Sequence, residues 1–133
     1  MSDNSATLVL ARQATLARLI VCDSFVVAEW SDPGTHPRRP IAGLHLHHSD
    51  DEAWIVLEGE LGFRVGEHER TVRVGESLLV ERGTPHSYWN PAPAPARYLL
   101  VMTPRIHRLI DALHSGARED FAAIFAEHDS ELL

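Results

Sequence analysis

Residues 45–52 read HLHHSDDE, and they carry the clearest structural signal in the chain. His45 and His47 are separated by one residue, so in a β-strand both imidazoles project from the same face, about 6–7 Å apart at the backbone. That distance allows both rings to bind one ion. Glu52 follows after four residues, enough for a tight reversal that brings its carboxylate beside the imidazoles from a neighbouring strand. The segment therefore predicts two strands that meet at a metal site.

On both sides of this segment, short β-type runs alternate with turn residues, a pattern typical of a β-sandwich or β-barrel. After Thr103, placed as a helix cap, and Pro104 in a first turn, apolar residues recur at helical spacing. Gly116 ends this helix, and a second one is predicted at about 118–128. The predicted strands are residues 15–22, 24–30, 41–47, 52–57, 61–65, 71–74, 77–80, 86–89 and 97–102.

His86 lies much farther along the chain and reaches the other three side chains only if the strands close into a barrel. Three imidazoles and one carboxylate suit Fe(II), Mn(II), Ni(II), Cu(II) or Zn(II) and leave one or two coordination positions open. A closed zinc site of the thiolate kind is excluded because the chain has one cysteine. We therefore expect one divalent transition metal ion per chain, held by His45, His47, Glu52 and His86.

The remaining histidines are not expected to be ligands. His48 follows His47 directly and should point to the opposite face of the strand. The others are expected in solvent or on helix surfaces: His36, His68, His107, His114 and His128.

The spacing of these residues resembles the two sequence motifs of the cupin superfamily. His45-Leu46-His47, four residues, Glu52, six residues and Gly59 match the second part of the first motif. Gly75, five residues, Glu81-Arg82-Gly83, two residues, His86, three residues and Asn90 match the second motif. Six positions before His45, where the family usually has a glycine, this chain has Arg39. In the second motif, where the family usually has a proline, it has Glu81. The motifs cover residues 41–90, and the strand pattern extends the resemblance to 24–102.

The resemblance implies an all-β fold: one cupin domain over residues 1–133, with a jelly-roll β-barrel at about 8–102 and a short C-terminal α-helical tail at about 104–130. It places the four metal positions on the same residues as the chemical argument does. It also implies a homodimer, which exposed strand edges and a partly apolar helix pair favour. The tail is similar to that of small cupins of the quercetin dioxygenase group.

The residues around the ion are expected to form an apolar, aromatic pocket. Strand alternation places Trp54 and Val56 on the ligand face after Glu52, and Tyr88 and Asn90 after His86. Phe63 is expected to line the wall as well. In such a pocket the ion, rather than a side-chain triad, would carry the reaction. The candidate general bases are Glu81 and Tyr88.

Composition excludes other classes of partner. The 19 acidic residues outnumber 12 basic ones for a net charge of -7, without a Lys/Arg cluster, which disfavours nucleic acid and anionic membranes. The start of the chain lacks a secretory signal and no apolar run is long enough to span a bilayer, so a cytoplasmic location is expected. Cys22 ends an apolar run and is predicted to be buried and structural.

Two classes of function fit these observations. The first is a metal-dependent enzyme, a dioxygenase or isomerase, acting on a small organic molecule. The second is a non-catalytic cupin that binds or senses a small molecule. A storage role is the least supported, because it does not require four metal ligands.

Overall fold

The computed structural model describes residues 18–133, which form ten β-strands and two α-helices. The all-β prediction is confirmed. The strands are β1 (Arg18–Val21), β2 (Val26–Asp32), β3 (Pro40–His47), β4 (Glu52–Glu58), β5 (Glu60–Val65), β6 (His68–Arg73), β7 (Ser77–Val80), β8 (His86–Trp89), β9 (Ala96–Met102) and β10 (Ser130–Leu132).

The strands form two five-stranded antiparallel sheets. One sheet has the order β1-β2-β9-β4-β7 and the other has the order β10-β3-β8-β5-β6. Burial alternates along β4 and β9, as expected for strands with one face on a core. Side chains from both sheets meet in one cluster, which includes Trp54, Phe63 and Leu100, each at most 2% exposed. The two sheets therefore share a single core.

The chain passes from the first sheet to the second in the tight turn between β4 and β5. Gly59 occupies this turn with φ of +70°, a backbone conformation that residues with a Cβ atom rarely adopt. A Cβ at this position would also collide with the backbone oxygen of Pro95. Glycine is therefore required here for two independent steric reasons.

The C-terminal tail contains α1 (Pro104–Ser115), one turn of 3₁₀ helix (Arg118–Asp120) and α2 (Phe121–Glu127). The predicted start is confirmed: the Thr103 side chain accepts a hydrogen bond from the Ile106 amide at 3.2 Å. None of the helices in the described residues is long and apolar enough to cross a membrane. After α2 the chain returns as β10, which pairs with β3. This three-residue strand was not predicted, because it is too short to show a periodic pattern.

Three predicted strand positions need adjustment. The strand predicted at 24–30 is displaced by two residues, because β2 spans Val26–Asp32. The first predicted strand, 15–22, falls partly outside the described residues, as does the start of the expected barrel at residues 8–17. Within the described part, β1 ends at Val21. The prediction of 71–74 was wrong in its start, because β6 begins at His68, directly after the turn at Gly66 and Glu67.

The prediction of a buried Cys22 was wrong, since this side chain is exposed. Cys22 lies in the turn after β1, where its amide donates to the Phe25 carbonyl at 3.1 Å and its thiol contacts the same oxygen at 3.4 Å. Among the strands of residues 18–133, β1 is an edge strand that pairs only with β2, and Val21 is 58% exposed. An apolar run on a sheet edge therefore looked like a core strand.

Candidate metal centre

The fold brings together the four predicted ligands. One potential ligand atom from each of His45, His47, Glu52 and His86 lies within 4.8 Å of the others. All four residues are buried, with exposed fractions between 1% and 7%. Carboxylates and imidazoles are rarely buried together without a partner of opposite charge, so this cluster requires an electrostatic explanation.

Strand pairing positions three of the ligands and a crossover positions the fourth. His45 on β3 and His86 on β8 are direct cross-strand neighbours in the second sheet, and their ring centroids lie 4.2 Å apart. Glu52 begins β4 in the first sheet. The expectation that Glu52 belongs to a strand beside β3 was therefore wrong, because residues 48–51 carry the chain to the other sheet.

Hydrogen bonds join the segment between β3 and β4 to the turn that precedes His86. Gly83, at φ of +79°, donates its amide to the His47 carbonyl at 2.6 Å. The Arg82 amide donates to Asp51 at 2.8 Å, and its guanidinium contacts the same carboxylate at 3.1 and 3.2 Å. These contacts hold the turn before His86 against the segment that contains Glu52.

Hydrogen bonds at Nδ1 set the orientation of each imidazole. His45 Nδ1 lies 2.6 Å from the Gly43 carbonyl oxygen, and His86 Nδ1 lies 2.9 Å from that of Thr84. Carbonyl oxygens only accept, so both rings donate from Nδ1 and carry a lone pair on Nε2. His47 Nδ1 lies 2.7 Å from Ser130 Oγ. Each imidazole therefore has a fixed outer contact, as metal-binding histidines do.

The inner atoms of the cluster form a set that one proton cannot satisfy. Glu52 Oε1 lies 2.7 Å from His86 Nε2 and 2.9 Å from His47 Nε2. A proton shared between His86 and Glu52 would satisfy the shorter contact. Within residues 18–133, the buried Nε2 of His47 nevertheless has no partner with hydrogen-bond geometry, despite that short distance. A cation would interact favourably with all four groups at once, so the residues fit a divalent transition metal.

The pKa shifts favour the protonation states that ligate metal. Burial lowers the pKa of His45 to about 4, helped by the neighbouring His86. Burial alone would raise the pKa of Glu52, but the close contacts with the His47 and His86 rings outweigh it and lower that pKa to about 2. A neutral His45 and an ionised Glu52 at neutral pH are the forms that bind metal ions.

The cluster opens into a cavity of about 750 Å³. His45, His47 and Glu52 line it, whereas His86 does not and is 1% exposed. Most of the other lining residues are apolar, and α1 and α2 contribute many of them, including Ile106, Leu109, Ile110 and Phe125. An ion held by the four ligands would therefore be accessible from a largely apolar chamber, as is usual for small-molecule sites.

A family model described as "Cupin domain" matches residues 35–102, about half of the chain. This range contains all four clustered ligands. The chain belongs to the cupin family. Among curated proteins, no match to this cupin was found.

Solved structures support the cupin fold. The TT1209 protein of Thermus thermophilus is 27% identical, with a TM-score of 0.58 over 71% of this chain and 90% of that one. A protein with a double-stranded β-helix domain from Klebsiella pneumoniae is 22% identical, with a TM-score of 0.56 over 77% and 91%. A cupin-superfamily sugar phosphate isomerase from Silicibacter pomeroyi is 27% identical, with a TM-score of 0.53 over 60% of this chain and 50% of that one.

One wall of the cupin cavity carries hydrogen-bonding groups. The hydroxyls of Tyr88 and Tyr98 lie 3.1 Å apart, and both residues line the cavity. Burial raises the pKa of Tyr88 to about 12, although contacts with Tyr98 and Trp54 oppose the shift. The buried Trp54 Nε1 makes no contact of hydrogen-bond geometry. Trp54 also contacts His86, with 5.8 Å between ring centroids, so this wall adjoins the ligand cluster.

The predicted pocket residues divide into two groups. Trp54 and Tyr88 line the cavity, whereas Val56, Phe63 and Asn90 do not. Phe63 packs against Trp54 and stacks on Tyr88, with centroids 5.1 and 5.4 Å away. Val56 lies in the same core cluster. Strand alternation gave the correct face for these residues, but a face also includes positions that only fill the core.

Asn90 has a structural role in a loop. Its amide nitrogen donates to Asp32 at 3.1 Å and to the Ala94 carbonyl at 2.7 Å, and its oxygen accepts from the Ala92 amide at 3.1 Å. These bonds hold the proline-rich loop of residues 91–95 in place. Glu81, the other candidate base, is exposed and does not line the cavity.

Several residues of the site were missed by the sequence analysis. Ser130, Phe121, Phe125 and Leu132 all belong to the tail, for which no partner surface was predicted. His48 is exposed, as expected. His114 is exposed on α1, as expected for a helix-surface residue, and His107 is half-buried; both also line the cavity together with Asp111, which was not predicted. The apolar spacing of α1 was the available signal, but it does not reveal where the helix packs.

Proposed function

We propose that this cupin is a metal-dependent enzyme that converts a small organic molecule at an ion held by His45, His47, Glu52 and His86. The observation that carries the proposal is the buried set of converging metal-binding atoms, three of whose residues line the 750 Å³ cavity. A site that served only to stabilise the fold would not need to adjoin a chamber of substrate size. We place dioxygenase chemistry first.

A divalent transition ion supplies Lewis-acid polarisation of substrate oxygens and, where the metal is redox-active, reactivity toward dioxygen. The protein residues bind and orient the substrate. The hydroxyl of Tyr88, with a pKa raised to about 12, stays protonated at neutral pH, so it can donate a hydrogen bond to a substrate oxygen. The Trp54 indole, which lacks a partner, offers a second donor to a substrate oxygen.

The charge of the lining supports an uncharged substrate. Among the side chains that the structure describes, no Lys or Arg lines the cavity, whereas Glu52 and Asp111 do. Away from the ion, a carboxylate or phosphate on the substrate would lie in an apolar chamber without a Lys or Arg partner, which costs on the order of several kcal/mol of desolvation. Neutral flavonols and diketones meet this requirement and offer oxygens to an ion.

Isomerase chemistry is the second candidate. It is supported by the 27% identity with the sugar phosphate isomerase, of which this chain matches half. The lining argues against a phosphorylated sugar itself, because phosphate recognition normally uses Arg, Lys or a helix N-terminus. An uncharged ketone or aldehyde would fit the same reaction class.

The test is activity of protein loaded separately with Fe(II), Mn(II) or Ni(II). Oxygen uptake with flavonols and diketones is expected from the dioxygenase, and isomerisation of neutral carbonyl compounds without oxygen uptake from the isomerase. The control is His86→Ala, in which the same preparations should be inactive. Saturable binding without turnover for every metal would contradict the enzyme and favour the non-catalytic binding function.

A homodimer in the cytoplasm completes the proposal. The exposed apolar side chains of the edge strand β1, with Leu19 36%, Ile20 37% and Val21 58% exposed, support self-association. Sedimentation velocity at micromolar concentration should give a single dimeric species. A monomer under those conditions would remove the dimer from the proposal and leave the metal site untouched.

A further inference from the structure

The C-terminal segment, residues 121–133, is attached to the strand that carries two metal ligands. β10 pairs with β3 so that Ser130 is opposite His47 and Leu132 is opposite His45. Backbone bonds extend this pairing, because the His48 amide donates to the Asp129 carbonyl at 2.9 Å and the Leu133 amide to that of Leu44 at 3.0 Å. The strand β10 of this segment thus lies at the edge of the sheet that carries His45, His47 and His86.

Side chains of this segment also touch the ligands. The Phe125 ring lies edge-on to the His45 ring at 5.4 Å between centroids and is 6% exposed. Phe125 and Leu132 both line the cavity. Arg105 of α1 connects the segment to the loop between β3 and β4, because its guanidinium contacts Asp50 at 2.8 Å and Asp129 at 3.6 Å. The segment therefore belongs to the cavity wall and to the support of the ligands.

Ser130 forms a side-chain hydrogen bond with the ligand His47. Its hydroxyl is 2.7 Å from His47 Nδ1 and 3.1 Å from the His128 carbonyl oxygen, and the residue is 4% exposed. A hydroxyl has one proton, which it donates to the carbonyl, so it accepts the Nδ1–H of His47. This arrangement leaves the lone pair of His47 on Nε2, the atom that faces Glu52 Oε1 at 2.9 Å.

We propose that Ser130 is a positioning residue for the metal ligand His47, and that metal binding and docking of residues 121–133 on β3 therefore stabilise each other. Ser130 does not touch the ion. It fixes the tautomer and the ring orientation of His47, whereas the backbone carbonyls of Gly43 and Thr84 do so for the other two imidazoles. His47 is thus the one clustered imidazole whose orientation depends on a side chain, and that side chain lies 83 residues away.

Loss of the hydroxyl has a defined consequence. In Ser130→Ala the buried Nδ1 of His47 loses its acceptor, which removes the preference for a lone pair on Nε2. The Nε2-protonated tautomer and a rotated ring then compete with metal binding. Loss of such an outer contact typically lowers metal affinity about 10–100-fold. Ser130→Thr retains a hydroxyl on the same backbone position and should restore affinity to within about threefold of wild type.

The experiment is calorimetric titration of the metal-free protein with Zn(II), and with Co(II) for its ligand-field absorption. Two controls separate positioning from stability. Val72→Ala removes buried packing on β6 at a residue that does not line the cavity, and Ser115→Ala removes a serine hydroxyl that, among the described residues, contacts α1 backbone oxygens. Both should bind zinc within about threefold of wild type, even if Val72→Ala melts as early as Ser130→Ala.

Linkage supplies a second measurement that a purely structural role would not move. The factor by which the docked segment raises metal affinity equals the factor by which metal stabilises docking. Zn(II) should therefore slow hydrogen exchange in residues 121–133 of the wild type, above all at the Leu133 amide, and also at the His48 amide, which donates to Asp129. In Ser130→Ala this metal-induced slowing should shrink by about the same 10–100-fold.

The outcomes are distinct. Because the inference rests on the metal centre of the proposed function, a wild type that binds no Zn(II) or Co(II) would overturn both. A wild type that binds metal with Ser130→Ala unchanged would overturn only the role of Ser130. Equal losses in Ser130→Ala and Val72→Ala would assign the effect to stability. A Co(II) spectrum altered in Ser130→Ala and restored in Ser130→Thr would support positioning.

Discussion

The two ends of the cavity differ in the chemical groups that they present to a bound ion or molecule. At the ligand end, the lone pairs of the imidazoles and the ionised Glu52 converge, and His47 Nε2 has no hydrogen-bond partner. At the aromatic wall, Tyr88, Tyr98 and Trp54 offer neutral hydrogen-bond donors in a setting of close packing. The first end needs a positive charge, and the second accepts a neutral oxygen. The difference shows that charge determines one half of this site and packing the other.

Removal of one ligand should have the largest effect. In His86→Ala the metal content, measured by elemental analysis of protein purified without a chelating resin, is expected to fall from about one ion per chain to less than about a tenth, because three ligands hold an ion much less tightly. The matched control is His68→Ala, an exposed histidine on β6. If His86→Ala keeps its metal, the proposed contrast between the two ends is wrong.

Acid should affect the metal-free ligand end next. The pKa of His45 is lowered in the folded state, from 6.5 to about 4, mainly by burial. A lowered pKa means that the unfolded chain binds the proton more readily, so the contribution to stability is complete above pH 6.5 and is lost as pH falls through about 4. The pKa of Glu52, lowered to about 2, extends the loss to still lower pH.

Denaturant midpoints of metal-free protein between pH 7 and 3 should therefore decrease steadily with acid, and those of the zinc-loaded protein should decrease at least as much, because protonation of the ligands also weakens metal binding. A midpoint that rises on acidification would mean that the cluster is not held as neutral His45 and ionised Glu52.

A wall substitution should lower stability and spare the metal. Trp54→Phe replaces a fully buried indole, 1% exposed, with a smaller ring, and a loss of about 2 kcal/mol is expected from the space left behind. The metal content should remain near one ion per chain. Urea unfolding and elemental analysis of the same preparation check both statements, and loss of metal would show that the two ends are not separable.

The smallest effect is expected at the tyrosine pair. The sequence contains two tyrosines, and both line the cavity, so the near-ultraviolet tyrosinate band reports only on this wall. Burial raises the pKa of Tyr88 to about 12 and that of Tyr98 well above its ordinary value of 10. A raised pKa contributes stability below pH 10 that is lost as pH rises through about 12.

Ionisation should consequently begin only above about pH 11 and coincide with loss of structure. In Tyr98→Phe, which removes the hydroxyl partner of Tyr88, a loss of about 1 kcal/mol is expected with unchanged metal content. Tyrosinate appearing near pH 10 would show that the wall is open to water.

Sequence reasoning recovered the part of the site that chemistry constrains. Few arrangements bring two imidazoles, a carboxylate and a distant third imidazole to those spacings, so the four ligands and the β-sheet fold could be predicted. The path that the chain takes between these residues could not be predicted. Glu52 enters from the opposite sheet, a feature set by the path of residues 48–51 and not by the pattern of β3 or β4.

The packing side of the cavity was less accessible to prediction. Period-two alternation assigns a face but not a depth, so Phe63 and Trp54 looked equivalent although only Trp54 lines the cavity. Cys22 was misjudged because an apolar run does not reveal whether its strand has one neighbour or two. Ser130 gave no signal at all, since its role depends on a three-residue strand that forms only against β3.

His45, His47 and Glu52 line the cavity, whereas His86 and Ser130 do not. An ion that enters from the cavity would travel through the chamber that a substrate would occupy. Loading and substrate binding share one passage, and a bound organic molecule would slow both uptake and release of the ion. The order of addition thus becomes an experimental variable: protein given substrate before metal should acquire its ion more slowly than protein treated in the reverse order.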